Sequence, residues 1–234
     1  MSNRHQHTDY LCPLCLSQKT RFFFADGKNY QHIYYRCLRC DLVFVAPPCR
    51  LDSVEEKARY DMHDNDENDT RYVQFLARLA NPMLQRLLHP SQGLDFGSGT
   101  SQAMANFFYQ AGHSCHRYDI YYAPEHELLK QRYDFIVASE VIEHLYEPKG
   151  VIEQWLTMLR PDGLLGIMTG LRSETTDFPN WWYKNDPTHV ALFSRQTLAY
   201  LAKQYHLTFV YQHKNVTIFR LPETDSSNSS VPLP

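Results

Sequence analysis

The chain has 234 residues, 43% apolar and 21% charged, with a formal net charge of −3; it can bury one good-sized domain plus a small one, which excludes a disordered chain. The slight negative charge excludes non-specific attraction of the whole molecule to nucleic acid. There is no apolar run long enough to cross a membrane, and the polar start Met1–His7 is unlike a secretory signal, so no membrane partner and a cytoplasmic location are expected.

Residues 1–50 read as a zinc-ribbon module. Cys12-Pro-Leu-Cys15 and Cys37-Leu-Arg-Cys40 are two Cys-x-x-Cys pairs, whereas Cys49 and Cys115 stand alone. In a reducing compartment such paired spacing favours a metal over disulfides. Two such knuckles supply four thiolates in a tetrahedron, and with all four positions taken by protein the zinc would be structural. A pair of redox motifs is the alternative. So small a module cannot bury enough apolar surface to fold without the metal. Short aromatic strands are expected at Phe22–Phe24, Ile33–Tyr35 and Val43–Val45, closed by Pro47-Pro48. Tyr30, Tyr34, Tyr35 and Arg36 suit nucleic acid or a protein surface; more simply, the ribbon packs on the next domain and shapes a substrate pocket.

Residues 51–91 read as a helical linker interrupted by the acidic stretch Asp61–Asp69. Counted from Asp64, a calcium loop would need Gly at position 6 and Glu at position 12; Asp69 and Phe75 stand there, so the stretch is a solvated loop.

Residues 92–222 alternate strand and helix patterns, which predicts an α/β sheet. Strands are expected at Gly93–Phe96, His116–Asp119, Phe135–Ala138 and Leu164–Thr169. Helices are expected at Gln102–Ala111, near Gly150–Leu159 before the stop Arg160–Gly163, and over Ser194–Tyr205 with Ser194 as N-cap. Leu207–Gln212 and Val216–Leu221 flank a turn at Lys214-Asn215, a hairpin that puts one antiparallel strand into a parallel sheet. Residues 223–234, rich in Ser, Asn and Pro, read as a disordered tail.

The strand ending in Asp95-Phe96 runs into Gly97-Ser98-Gly99 and then a helix, an arrangement that binds nucleotides. Its glycines admit close backbone approach, and the helix N-terminus offers free N–H groups. Asp119 ends the next strand, where an acidic side chain can grip a ribose diol. A dinucleotide turn would need glycine where Gln102 stands, so a cofactor with a charged amino acid and no phosphate fits better. The stretch from about Tyr60 to Leu221 resembles the class I S-adenosylmethionine-dependent methyltransferases. The resemblance rests on Asp95-x-Gly97-x-Gly99, Tyr133-Asp134-Phe135-Ile136-Val137 and Leu159-Arg160-Pro161-Asp162-Gly163.

The resemblance implies S-adenosylmethionine as cofactor and a Rossmann-like, mostly parallel seven-stranded sheet. Asp95, Gly97, Ser98 and Gly99 would line the methionine part, Asp119 and Ile120 the nucleoside, and Ser139 and Glu140 the methyl-transfer side. Ser101 replaces a frequent third glycine, tolerable if its φ stays negative. Only fourteen residues separate Asp119 from Tyr133, so a helix and strand usual there should be reduced. Members of the family place a segment before the first strand over the cofactor, a role open here to Tyr60, His63 and Tyr72.

Ser139–Leu145 contains Glu140, Glu143 and His144, which would share one face of a helix. Asn185–His189 could bring His189 alongside. Two carboxylates and two imidazoles suit a divalent metal at Glu140/Glu143/His144/His189, a pattern similar to metal-using O-methyltransferases. Equally, His144 or His189, with Glu143, could serve as a metal-free base. Trp181-Trp182-Tyr183 could wall the acceptor pocket. The expected acceptor is a small-molecule hydroxyl, amine or carbon. Rival readings are an RNA methyltransferase that uses the ribbon for substrate binding, a cofactor-binding protein without catalysis, and, more distantly, a nicotinamide dehydrogenase.

Overall fold

The computed structural model describes residues 10–27, 30–62 and 65–223. His63, most of the 223–234 tail and Asp64 of the acidic stretch lie outside the described residues.

The ribbon strands are β1 (Thr20–Ala25), β2 (Ile33–Cys37) and β3 (Val43–Val45), paired antiparallel in that order. Three residues of the register, Tyr34↔Val45, Tyr35↔Phe44 and Arg36↔Val43, join β2 to β3. Helix α1 (Ser53–Tyr60) starts at a capping box: Asp52 accepts from the Val54 and Glu55 amides while Glu55 reaches back to the Asp52 amide. It buries none of its residues. Helix α2 (Thr70–Leu84), capped by Asp69, buries Leu76, Leu79, Ala80 and Met83 along one stripe.

The main sheet is built from β4 (Gln92–Phe96), β5 (Ser114–Tyr118), β6 (Tyr133–Ser139), β7 (Leu159–Met168), β9 (Thr208–His213) and β10 (Val216–Arg220). Its strand order is β5-β4-β6-β7-β10-β9. Helix α3 (Ala103–Gln110) follows β4, α4 (Pro148–Met158) follows β6, and α5 (Arg195–Gln204) precedes β9. In β6 four successive side chains are fully buried because the strand is covered on both faces. Phe135 and Val137 join α2 and α3 with Leu79, Met83 and Phe108, while Ile136 and Ala138 join Trp155, Ile152 and Leu198 of α4 and α5. Ser194 caps α5 by accepting from Thr197 N–H. The hairpin turns at Lys214, whose φ is +51°, and β10 runs antiparallel to both neighbours, the one such strand in the sheet.

The main sheet has six strands, with the reduction expected after Asp119: residues 119–132 contain only an Asp119–Ala123 bridge and a 3-10 turn over His126–Lys130. Fourteen residues that spend five on a turn have no length left for a helix and a strand. Two other expectations are corrected. Arg160–Gly163 does not stop the chain between two elements; β7 begins at Leu159 and passes through Asp162 at φ +62°. Ser139–Leu145 forms no α-helix: Glu140 sits at φ +52° and only Ile142–His144 makes a 3-10 turn.

A fourth strand of the ribbon sheet comes from far away in sequence. β8 (Ala191–Leu192) pairs with β3, so the ribbon is stitched to the segment between β7 and α5.

Candidate active site

The carboxyl ends of β4, β5 and β6 open into a cleft of about 930 Å³, the place where α/β sheets bind ligands. It is lined by Asp95, Gly97, Ser98, Gly99, Asp119, Ile120, Ser139, Glu140, His144 and His189, all anticipated from sequence. Glu143 is fully buried behind this wall.

Gly97 and Gly99 take φ of +74° and +58°, the left-handed region that glycine occupies without strain. A Cβ on Gly97 would lie 2.5 Å from the Val141 side chain, so this glycine also lets β4 and the chain after β6 approach. The amides of Gly97 and Ser98 both donate to Tyr118 O, at 2.8 and 3.2 Å, and the Gly99 amide donates to Asp119 Oδ2 at 2.9 Å. The turn's first three N–H groups are thus committed to holding the turn. Asp119 Oδ1 also accepts from the Tyr121 and Tyr122 amides at 2.8 and 3.0 Å. One carboxylate therefore shapes both loops. Ser101 keeps a negative φ and accepts from Ala103 N–H at 3.2 Å, as its tolerance required.

Asp95 is buried, and burial pushes its carboxyl up to about 7; the Asp119 charge adds to this while Arg117 opposes it.

Opposite the turn, Tyr183 sits between two carboxylates. Its hydroxyl bonds Glu143 Oε1 and lies 3.1 Å from Glu140 Oε2, and Thr169 Oγ1 donates to Glu143 Oε2 at 2.9 Å. A hydroxyl has one proton to give, so donation to Glu143 leaves Tyr183 to accept from a protonated Glu140. Burial, reinforced by the Glu143 charge, pushes Glu140 up to about 9, which keeps that proton in place at neutral pH.

His144 and His189 pack with ring centroids 4.7 Å apart. Each Nδ1 meets a carbonyl: Thr188 O at 3.2 Å from His144 and Tyr183 O at 2.6 Å from His189. A carbonyl only accepts, so both Nδ1 atoms carry a proton, and each ring when neutral keeps its lone pair on Nε2. Burial, aided by His189, pushes His144 down to about 4 against the opposing pull of Glu143. Donor atoms of Glu143, His144 and His189 all lie within 4.8 Å of one another. Glu140 is outside this group; its backbone is left-handed and its carboxylate meets the Tyr183 hydroxyl, so three of the four residues expected as ligands converge.

Sequence reasoning did not single out Thr169, Glu56, Arg59, Tyr146 or Asp186, which complete the surroundings. Glu56 of α1 accepts from the Tyr60 and Tyr121 hydroxyls at 2.7 and 3.2 Å, and Tyr60 stands edge-on to His144 at 5.2 Å. Arg59 reaches across to Asp186 at 3.4 Å. Nothing local in the sequence marks these residues; Glu56 and Arg59 reach the cleft because α1 supplies part of its lining.

The four cysteines form a separate, buried cluster in the ribbon. Cys12 and Cys40 sulfurs are 3.5 Å apart and Cys15 and Cys37 sulfurs 3.4 Å apart, with all four mutually within 4.8 Å.

A family model described as a methyltransferase domain matches residues 65–212, well over half of the chain. No curated relative matches in sequence. Among solved structures, the Burkholderia thailandensis 1,6-didemethyltoxoflavin-N1-methyltransferase superposes with a TM-score of 0.55 at 19% identity, covering 87% of this chain and 100% of that one. The mitomycin 7-O-methyltransferase gives 0.49 at 13%, covering 66% of this chain and 55% of that one. An O-methyltransferase family protein from Burkholderia thailandensis gives 0.47 at 14%, covering 74% and 64%. At these identities the likeness is one of fold. With the glycine turn, the acidic strand tips and the family match in register on the same sheet, this chain belongs to the methyltransferase-domain family, the class I S-adenosylmethionine-dependent methyltransferases.

Proposed function

We propose that the protein moves the methyl group of S-adenosylmethionine to a small neutral or cationic acceptor, with the His144–His189 pair taking the acceptor's proton. The observation that carries this reading is the pair itself: two imidazoles held with free Nε2 lone pairs at the cleft that also contains the glycine turn. The acceptor's oxygen or nitrogen attacks the methyl carbon, the carbon–sulfur bond breaks with its electrons staying on sulfur, and the acceptor's proton passes to His144 Nε2. Asp95, Gly97, Ser98 and Gly99 hold the methionine end, Asp119 and Ile120 the nucleoside, and Ser139 and Glu140 the methyl-transfer side. Glu143 acts through its neighbours as a positioning residue.

The charge of the cleft favours a small acceptor over nucleic acid. Among the described residues, the carboxylates of Glu56, Asp61, Asp119 and Asp186 line it, against Arg59 as the one Lys or Arg, itself paired with Asp186. Such a surface repels a polyanion and suits the cationic cofactor. Methyl transfer to RNA would instead predict binding that weakens steeply with salt.

A second reading has its own observation: the convergence of Glu143, His144 and His189 within 4.8 Å. Imidazoles with Nδ1–H on carbonyls are oriented as metal ligands usually are. A divalent cation held there would lower the pKa of an acceptor hydroxyl.

We assign zinc to Cys12, Cys15, Cys37 and Cys40. Sulfurs 3.4–3.5 Å apart are far beyond a disulfide, about 2.05 Å, and near the edge of about 3.8 Å of a tetrahedron with Zn–S of about 2.3 Å. Four thiolates so close need a cation to stay ionised.

Calorimetry with S-adenosylhomocysteine, followed by transfer of labelled methyl to a panel of phenols, catechols and amines, tests the reading. His144→Gln should leave homocysteine-cofactor affinity within about threefold and cut transfer by about 10²-fold or more. Absence of cofactor binding would sink the function. Transfer lost to a chelator while one zinc per chain is retained would favour the metal over the free base.

A further inference from the structure

The segment that carries Tyr183 and His189, residues 172–194, has almost no regular structure of its own: two short 3-10 turns at Phe178–Asn180 and Trp182–Asn185, then β8. Its support comes from the ribbon at every stage. At its start, Arg172 bonds the Asp41 carboxylate, and at its end Ser194 Oγ donates to the same Asp41 Oδ2 at 2.5 Å. Asp41 directly follows Cys40, takes φ of +66°, and donates its amide to Cys37 O at 3.0 Å, so it closes the second cysteine knuckle. In the middle, buried Lys184 Nζ donates to Asp26 Oδ2 at 2.5 Å, and Tyr34 OH donates to Lys184 O at 3.3 Å. Phe178 packs edge-on against Phe23, Phe24 and Tyr34 at 4.9–5.5 Å. Tyr183, Val190 and Leu192 share one buried cluster with Tyr34, Val43 and Val45 of the ribbon.

The last link reaches the reacting end. Val190 O accepts from Val45 N–H at 2.9 Å, and Val190 N–H donates to Glu143 O at 2.8 Å. A single residue next to His189 is thus bonded to the ribbon on one side and to the Glu143–His144 turn on the other. Among the described residues, the glycine turn and Asp119 bond instead to one another and to Tyr118, Tyr121 and Tyr122.

We propose that the four-cysteine ribbon is a buttress for the acceptor side of the cleft, with Asp41 as the positioning residue that transmits the order of the second knuckle to Tyr183 and His189. It acts on the acceptor wall and leaves the cofactor side alone. The inference rests on the methyltransferase reading for what the wall does, and on geometry alone for what holds the wall.

The test uses the full chain with Asp41→Asn, and Phe178→Leu as a milder variant at the same interface. Amide hydrogen exchange over 176–192 should rise about tenfold or more in both, because a segment without internal structure opens once its outside contacts loosen. Affinity for S-adenosylhomocysteine should stay within about threefold of the wild type. The His189 imidazole supplies a readout that simple destabilisation would not move: its nitrogen resonances should shift from the pure Nδ1–H tautomer toward a mixture, while those of His113, remote from the ribbon, stay put. Unchanged exchange over 176–192 in both variants, or cofactor affinity falling in step with exchange, would overturn the proposal. Failure of the wild type to bind S-adenosylhomocysteine would instead count against the methyltransferase reading.

Discussion

Gly97→Ala separates two reasons for a glycine in the turn after β4. The first is conformational: at φ +74° an alanine pays about 1–2 kcal/mol for the left-handed backbone. The second is steric: the new Cβ would stand 2.5 Å from Val141 Cγ2 and 3.1 Å from Cγ1, both on a buried side chain, and such overpacking costs about 1–3 kcal/mol. The stiffer unfolded chain returns about 0.4–1 kcal/mol. The net expectation is a loss of about 1–5 kcal/mol, read as a lower urea midpoint at unchanged m. A double-mutant cycle with Val141→Ala isolates the steric part. Removing the Val141 methyls should relieve it, giving a favourable coupling of about 1–3 kcal/mol, while the backbone part persists. A coupling below about 0.5 kcal/mol would refute the close approach of β4 to the chain after β6. A loss of cofactor affinity without loss of stability would assign the glycine to the ligand alone.

Three further outcomes are expected. His144 is pushed down to about 4, so between that value and its ordinary 6.5 the folded form binds fewer protons than the unfolded one. Stability should fall as pH drops through that window, by up to about 3 kcal/mol, and His144→Gln should flatten the fall in equilibrium melts. Asp95, pushed up to about 7, should release its proton to the buffer when a cofactor ammonium binds beside it; calorimetry near pH 7 in buffers of different ionisation enthalpy should show release of up to about half a proton, absent in Asp95→Asn. Lys184→Met removes the ammonium bonded to buried Asp26 and should cost about 3–5 kcal/mol, much of it recovered by adding Asp26→Asn; no recovery would mean that packing and not charge sets the cost.

The parts of the molecule that were legible in sequence are those governed by neighbours in the chain. The cysteine knuckles, the Ser194 cap, the Lys214 hairpin and the strand–turn–helix at Gly97 each need only a few adjacent residues of the right kind. The short interval after Asp119 also foretold the lost strand, because chain length limits what a segment can build. Ser139–Leu145 was misread as a potential helix face. Its i, i+3, i+4 spacing fits a helix, yet Glu140 N–H donates to Met168 O on β7, which holds the residue at φ +52° and ends any helix before it starts.

The sequence by itself determined the class of chemistry: a glycine turn, acidic strand tips and a four-cysteine module are written in local spacing and composition. Only the tertiary structure decided how the opposite wall of the cleft is made. His189 meets His144 across 44 intervening residues, Tyr183 falls between Glu140 and Glu143, and Asp41 ties the ribbon to Arg172 and Ser194. Those contacts depend on β8 leaving its own domain to pair with β3. Two residues carry no recognisable strand pattern, and their place is set by the open edge they find on the ribbon.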